Sequence, residues 1–219
     1  MYKSDSSGYI TLKFTKLTKN KKITVKNPKT GEIKTSKILV YSRFSGNKNV
    51  AMYYYDGSKF TSYILGNTAK LVSKNQVVTI KINKKTYKVK TNAKGKIAFK
   101  IPSTVKPGNY KLSAIYKGEI TKKTIKIKQN LKTKKYTVKK SAKKLTIKAT
   151  LKNGKKALKG KKITLKLNGK KFTAKTNKYG IAKFTIKKNV IKKLKKGKKY
   201  TMKVSYLKNT IKTTLKVKR

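Results

Sequence analysis

Apolar and polar residues alternate along most of this chain with a period of two. In Val78-Thr79-Ile80-Lys81-Ile82 the apolar side chains fall on one side of an extended segment and Thr79 and Lys81 on the other. The same code runs through Tyr87 and Val89, through Ile97, Phe99 and Ile101, and through Tyr110, Leu112, Ala114 and Tyr116. It returns in Ile125 and Ile127 and in Leu145, Ile147 and Ala149. Lys or Thr fills most of the intervening positions. Thr and Tyr suit a pleated surface, and a solvated Lys discourages edge pairing. Short strands of this kind, separated by turn signals, predict an all-β sandwich.

The breaks between strands carry turn chemistry. Asn83-Lys84 and Asn168-Gly169 sit between alternating runs and predict two-residue hairpins. Pro107-Gly108 predicts a type II turn before the strand at Tyr110. Asp56-Gly57 separates Val50–Tyr55 from Lys59–Leu65. One segment breaks the period. In Asn189–Leu194 the apolar residues Val190, Ile191 and Leu194 fit one helical turn, with Asn189 as its cap.

The strands repeat at the scale of a domain. TIKINKKTYKVKTNAKGKIAFKI from Thr79 recurs as TLKLNGKKFTAKTNKYGIAKFTI from Thr164, an offset of 85 residues. Tyr110 and Tyr116 recur as Tyr200 and Tyr206, five residues further out of step, and the insertion falls in the helical segment. A third, partial copy stands first. Ser4-Asp5-Ser6-Ser7-Gly8 falls on Thr91-Asn92-Ala93-Lys94-Gly95, and Ile10, Leu12, Phe14, Ile23 and Val25 fall on Ile97, Phe99, Ile101, Tyr110 and Leu112. Residues 1–41 thus read as the last three strands of a copy. The expected organisation is tandem immunoglobulin-like β-sandwiches with the first one truncated: residues 1–47 as a half domain plus linker, 48–128 as one sandwich, and 129–219 as a second, very basic one. Each full copy is expected to hold seven strands. Ser42–Asn49 and Gln129–Lys135 are expected to be short polar linkers. The leading segment is expected to be the least well packed, with Leu12, Phe14, Ile23 and Val25 lacking a full partner sheet.

The T-N-x-x-G turn before an alternating strand, the P-G-x-Y strand and GKKITLKLNGKKFTAKTNKYGIAKFTI resemble the bacterial-type Ig-like repeats of adhesin-like surface proteins from methanogenic archaea. NPKTGE (Asn27–Glu32) and YYYDGSKF (Tyr53–Phe60) also resemble segments of those repeats. The resemblance implies a secreted or wall-associated stalk of tandem domains with a role in adhesion, and neighbouring Ig-like domains in a longer protein. An extracellular or cell-wall location is therefore expected, although residues 1 onward show no apolar signal-peptide core.

Charge changes the picture most. Lys plus Arg number 64 against 4 acids, for a net charge of +60. Such a charge favours disorder when apolar residues are scarce, but Leu, Ile, Val and Phe make up roughly a quarter of the chain, and their periodicity argues for a packed core. There is no Cys and no His, which removes disulfides, thiolate chemistry and the commonest general base. The acids are Asp5, Glu32, Asp56 and Glu119, too few for a carboxylate pair, and none follows Glu119. No catalytic, cofactor-binding or metal site is expected, and the chain reads as a non-enzyme. No apolar run is long enough to span a membrane.

The charge predicts binding to an anionic cell-wall polymer, an acidic polysaccharide or another cell's surface through a repetitive lysine-rich face. The densest basic group is Lys192, Lys193, Lys195, Lys196, Lys198 and Lys199. A purely structural spacer is the alternative reading. Nucleic acid is expected to bind only non-specifically: the arginines are Arg43 and Arg219 alone, and Arg supplies the bidentate contacts that sequence readers use. The Tyr53-Tyr54-Tyr55 cluster offers either a ligand-contacting patch or core packing. Tyr110, Tyr116, Tyr200 and Tyr206 are expected to be core or corner residues.

Overall fold

A computed structural model describes residues 3–12, 20–67 and 69–218. The strand that the repeat predicts at Ile10–Phe14 does not form where it is described: Tyr9–Leu12 are irregular, and Phe14 lies outside the described residues. The chain is a row of immunoglobulin-like β-sandwiches, as the period-two pattern predicts.

The leading segment contributes one antiparallel hairpin, β1 (Lys21–Lys26) with β2 (Ile33–Ile38). The middle copy comprises β3 (Phe44–Ser45), β4 (Val50–Tyr53), β5 (Lys59–Ile64), β6 (Val77–Ile82), β7 (Lys85–Lys90), β8 (Lys96–Lys100), β9 (Gly108–Tyr116) and β10 (Glu119–Lys128). They form a five-stranded sheet, β4-β10-β9-β6-β7, packed on a three-stranded sheet, β3-β5-β8. The last copy comprises β11 (Leu131–Thr133), β12 (Tyr136–Val138), β13 (Lys144–Asn153), β14 (Lys156–Ala157), β15 (Lys162–Leu167), β16 (Lys170–Lys175) and β17 (Ile181–Lys187), then α1 (Lys188–Lys192), β18 (Lys199–Tyr206) and β19 (Asn209–Val217). Its five-stranded sheet, β12-β19-β18-β15-β16, repeats the order of the middle copy, and β13 pairs with both β11 and β17. In each copy the last strand pairs in parallel with the second one, Ile125 with Val50 and Leu215 with Tyr136.

Each complete copy therefore uses more than the seven strands expected. The first strand divides: β3 joins one sheet and β4 the other, with Gly46 at φ +65° in the crossing between them. The cores are the predicted apolar faces. Val78, Ile80, Ile82, Ile97, Leu112, Ala114 and Ile125 are buried in the middle copy, and Ile147, Leu165, Phe184, Met202, Val204 and Leu215 in the last.

Four expectations need correcting. Neither polar linker is slack. Phe44 in Ser42–Asn49 is buried and pairs with Ile64, and Leu131 in Gln129–Lys135 is buried and pairs with Leu151. Each places one apolar side chain in a core, and burying such a residue is worth about 1.5–3 kcal/mol. The helical turn starts at Lys188 rather than after an Asn189 cap, and its N-cap, Lys187, makes no side-chain cap bond. Buried Val190, Ile191 and Leu194 hold it against the core instead. Pro107-Gly108 is not a type II turn: Gly108 has φ +153°, and the turn lies upstream, where Val105 N–H donates to Pro102 O (3.0 Å). The Tyr53–Tyr55 strand face also ends early, because Tyr55 turns to φ +54°.

One local motif recurs in all three copies. Asp5 Oδ1 accepts from the N–H groups of Ser7 (3.0 Å) and Tyr9 (2.9 Å). Asn92 Oδ1 accepts from Lys94 and Lys96, and Asn177 Oδ1 from Tyr179 and Ile181, all at 3.0 Å. Gly8, Gly95 and Gly180 close these turns at positive φ.

The leading hairpin departs from the copies in register. Leu112 faces Lys123 across β9 and β10, whereas its counterpart Val25 faces Lys34 rather than Ser36. A slip of two residues keeps every side chain on its own face. The shift follows from the Asn27 turn, where Asn27 Oδ1 accepts from Lys29 N–H (3.0 Å) and Gly31 N–H donates to Asn27 O (2.8 Å).

Candidate functional site

The lysines of the last sandwich are arranged in rows. On the outer face of its five-stranded sheet, Lys166 stands opposite Lys171 on one side and Lys203 on the other, and Lys203 stands opposite Lys212. All four are exposed. At ~4.8 Å between strands, this row is roughly 14 Å wide. Beside it runs a row of hydroxyls, Thr173, Thr164, Ser205 and Thr210, in which Ser205 and Thr210 share a hydrogen bond of 2.8 Å. Lysine follows again at Lys162 opposite Lys175. In the other direction come Thr201 opposite Thr214, then Lys199 opposite Lys216. Rows two residues apart are ~6.7 Å apart. The opposite sheet repeats the scheme, with Lys144 facing Lys187, Thr146 facing Thr185 and Lys148 facing Lys183.

These rows come from the strand pattern and its register together. Alternation puts Lys and Thr on the wet face, and in-register pairing of like with like converts alternation along each strand into stripes across the sheet. Like charges directly opposite one another are destabilising, by up to about 1 kcal/mol per pair. The sandwich contains no acid to offset them. Tyrosine rings meet other lysines of this copy, outside the rows: Lys198 lies 5.5 Å from the Tyr200 ring centroid, Lys178 5.2 Å from that of Tyr179 and Lys134 5.7 Å from that of Tyr136. The ion pair among the described residues, Lys34 with Glu32 at 3.2 Å, lies in the leading hairpin.

The six predicted contact lysines, Lys192, Lys193, Lys195, Lys196, Lys198 and Lys199, are all exposed. They run from the last residue of α1, Lys192, to the first of β18, Lys199, at one pole of the last sandwich. Tyr200 organises this turn, its hydroxyl accepting from Lys195 N–H (2.7 Å), as the Tyr110 hydroxyl donates to Lys106 O (2.9 Å) in the middle copy. The Asn168-Gly169 hairpin reaches the same pole, where Lys170, Lys171, Phe172, Lys187 and Asn189 line a surface cleft. The rows of the sheet faces were not legible as sites in the sequence. Their signal was present in the Lys/Thr alternation, but only strand register aligns it.

Of the two readings of the tyrosine triplet, core packing holds for Tyr54. Tyr54 is buried at the joint between the two complete sandwiches. Its ring stands edge to face with Tyr206, centroids 6.1 Å apart. Its hydroxyl donates to Ser103 O (2.6 Å) and accepts from Lys208 N–H (3.2 Å). Its carbonyl accepts from Asn130 Nδ2 (2.8 Å), which also donates to Asn153 Oδ1 (3.0 Å). Asn209 Nδ2 closes the joint by donating to Gln129 Oε1 (2.6 Å). Desolvation raises the Tyr54 phenol above its ordinary pKa, partly opposed by the Lys208 N–H, and burial likewise raises Tyr206.

Among the described residues, no group of three or more His, Asp or Glu side chains converges as metal ligands, and no helix is long and apolar enough to cross a membrane.

No protein-family model matches the chain, and no curated protein matches it. Solved structures do. A titin I9–I11 tandem is 13% identical, covers 86% of this chain and 71% of its own, and superposes with a TM-score of 0.43. The D0–D1 domain of intimin is 18% identical over 80% of this chain and 97% of its own, with a TM-score of 0.31. A 1.5-MDa bacterial ice-binding adhesin is 14% identical over 91% of this chain and 73% of that one, with a TM-score of 0.29.

Proposed function

We propose that this chain is a non-enzymatic, adhesin-like stalk segment whose last sandwich binds anionic cell-wall polymer or acidic polysaccharide through in-register lysine rows. The observation that carries the reading is the row Lys171–Lys166–Lys203–Lys212. Four exposed cations held on adjacent strands at a fixed spacing form a cationic edge that an extended polyanion can follow. The neighbouring Thr and Ser row offers hydroxyl donors and acceptors to the same polymer. A merely solvated face would gain nothing from placing like charges opposite one another, and such placement costs stability. The Lys192–Lys199 group extends the same field to the far pole. The resemblance to adhesin-like repeats of methanogenic archaea supports a location outside the cell or in its wall. The hydrogen-bonded joint at Tyr54 suits a stalk that must keep its reach.

The test is a charge-neutral rearrangement. Full-length chain is bound to immobilised polygalacturonate, to polyphosphate and to duplex DNA across a salt series from about 0.05 to 0.5 M. Exchanging Thr201 and Lys203 (Thr201→Lys with Lys203→Thr) interrupts the row without altering net charge. The reading expects polysaccharide binding that survives physiological salt and falls several-fold in the exchanged chain. Equal binding by both chains would sink the row geometry. DNA binding that outlasts polysaccharide binding would sink the choice of ligand.

A further inference from the structure

We infer that the leading hairpin and the adjoining pole of the middle sandwich together form an acceptor for the front half of one more copy of this repeat. The occupant is a polypeptide with the strand pattern of residues 44–90. Three separate observations require the same occupant.

The first is the glycine of the recurring turn. In the complete copies this turn packs against a front-half segment. A Cβ on Gly95 would lie 2.8 Å from Val72 O, and one on Gly180 would lie 2.5 Å from Leu151 O. Gly8 likewise has positive φ, +79°, with nothing within 4 Å among the described residues. The turn is formed, and the surface it fits is open.

The second is the apolar face of the back-half strands. Leu112 is 0% exposed because a facing sheet covers it, while its counterpart Val25, on β1, is 41% exposed; Ile10, the counterpart of the buried strand residue Ile97, lies outside any strand and is 40% exposed. Among the described residues β1 and β2 pair only with each other, whereas β9 and β10 lie between β6 and β4. An unpaired two-stranded hairpin is marginal in water, and an uncovered apolar strand residue such as Val25 is what a facing sheet would bury.

The third is the pole of the middle sandwich. At the established joint, Asn130 bridges the Tyr54 carbonyl of the preceding copy and Asn153 of its own. Arg43 is its counterpart one repeat earlier. Arg43 Nη2 donates to Asn67 Oδ1 (2.8 Å), but Nη1 is buried with no partner among the described residues. Asn130 also keeps one buried unpartnered atom, Oδ1, at the occupied joint, but the Arg43 orphan is a donor of a permanent cation, whose loss of a partner costs more. Tyr116 and Glu119 stand where Tyr206 and Asn209 stand, and Glu119 already holds Ser42 Oγ (2.6 Å) and Arg43 N–H (2.9 Å). A front half entering here brings the counterpart of Tyr54, whose carbonyl meets Arg43 and whose ring meets Tyr116. The same segment supplies the sheet that covers Val25 and the strand that meets Gly8.

The experiment fuses a second copy of residues 42–87 ahead of Met1, the length that the repeat register demands. Amide hydrogen exchange is followed by NMR in the fused and unfused full chains. In the unfused chain, residues 21–38 should exchange at least 100-fold faster than 109–127; equal protection overturns the inference whatever the fused chain does. In the fused chain, residues 21–38 should gain at least 100-fold protection, and Val25→Lys should abolish the gain. Unchanged exchange on fusion, or a gain indifferent to Val25→Lys, overturns it. Arg43→Ala in the fused chain should leave that protection intact and loosen the new sandwich from the middle one, read as divergent alignment in residual dipolar couplings. Alignment unaffected by Arg43→Ala removes the pole from the acceptor.

Discussion

The rings of Tyr54 and Tyr206, one from each complete sandwich, stand at 84° with their centroids 6.1 Å apart. Edge-to-face pairs of this kind contribute about 0.5–1.5 kcal/mol beyond their buried area. With the side-chain bonds from Asn130, Gln129 and Asn209, they make the joint a packed surface rather than a tether. Replacing Tyr54 by Ala is therefore expected to free the two sandwiches from one another while both stay folded. Small-angle scattering should show a broader distribution of lengths. A double-mutant cycle with Tyr206→Ala should return a coupling energy of about 1 kcal/mol. A coupling near zero would mean that the rings touch without consequence.

The same burial sets a spectroscopic expectation. Both phenols have raised pKa values, chiefly from desolvation. The folded state therefore favours the neutral form. The joint's contribution is complete below the ordinary tyrosine value near 10 and is lost as pH climbs through the raised one. Ultraviolet titration of tyrosinate should show a late-ionising fraction among the 14 tyrosines. Tyr54→Phe should shrink that fraction; a titration curve identical to that of the parent chain would contradict it.

The lysine rows predict a trade between stability and binding. Lys203→Thr with Lys212→Thr removes two like-charge pairs, Lys166–Lys203 and Lys203–Lys212. The double variant should melt higher, with a gain of about 0.2–1 kcal/mol per pair, and should lose affinity for acidic polysaccharide with a shallower salt dependence. Changing Lys192, Lys193 and Lys195 to Ser removes charge from the pole without touching a cross-strand pair, so a smaller gain in stability is expected there. Calorimetry and binding on the same samples decide it.

The turn glycines separate packing from backbone strain. Gly180→Ala must overcome both a φ of +74° and a Cβ 2.5 Å from Leu151 O. Gly8→Ala meets the φ alone. The first should destabilise the last sandwich by more than about 2 kcal/mol, and the second should leave the thermal transitions of both sandwiches unmoved. Equal losses would show that φ rather than contact governs this position.

Much of the fold is legible in the sequence, because each strand must bury one face and wet the other. Val78, Ile80 and Ile82 announce their burial by spacing alone, and Asn92 and Asn177 announce their turns by the chemistry of a side chain that bonds its own backbone. Phe44 and Leu131 escaped that reading. A lone apolar residue in a polar stretch carries no period, and only the repeat offset pairs the two. The joint escaped as well: core packing was legible for Tyr54, but its partner, Tyr206, lies in the next sandwich.

The sequence by itself determined the strand faces, the repeat and the excess of positive charge, because these depend on residue type and on spacing within one copy. Tertiary structure alone decided three things: which lysines stand side by side, that Tyr54 locks a joint, and that Gly8, Val25 and Arg43 face unfilled space or an unmet bond. Each is a relation between segments distant in the chain. Strand register and domain docking settle such relations through hydrogen bonds and contacts that no local pattern encodes.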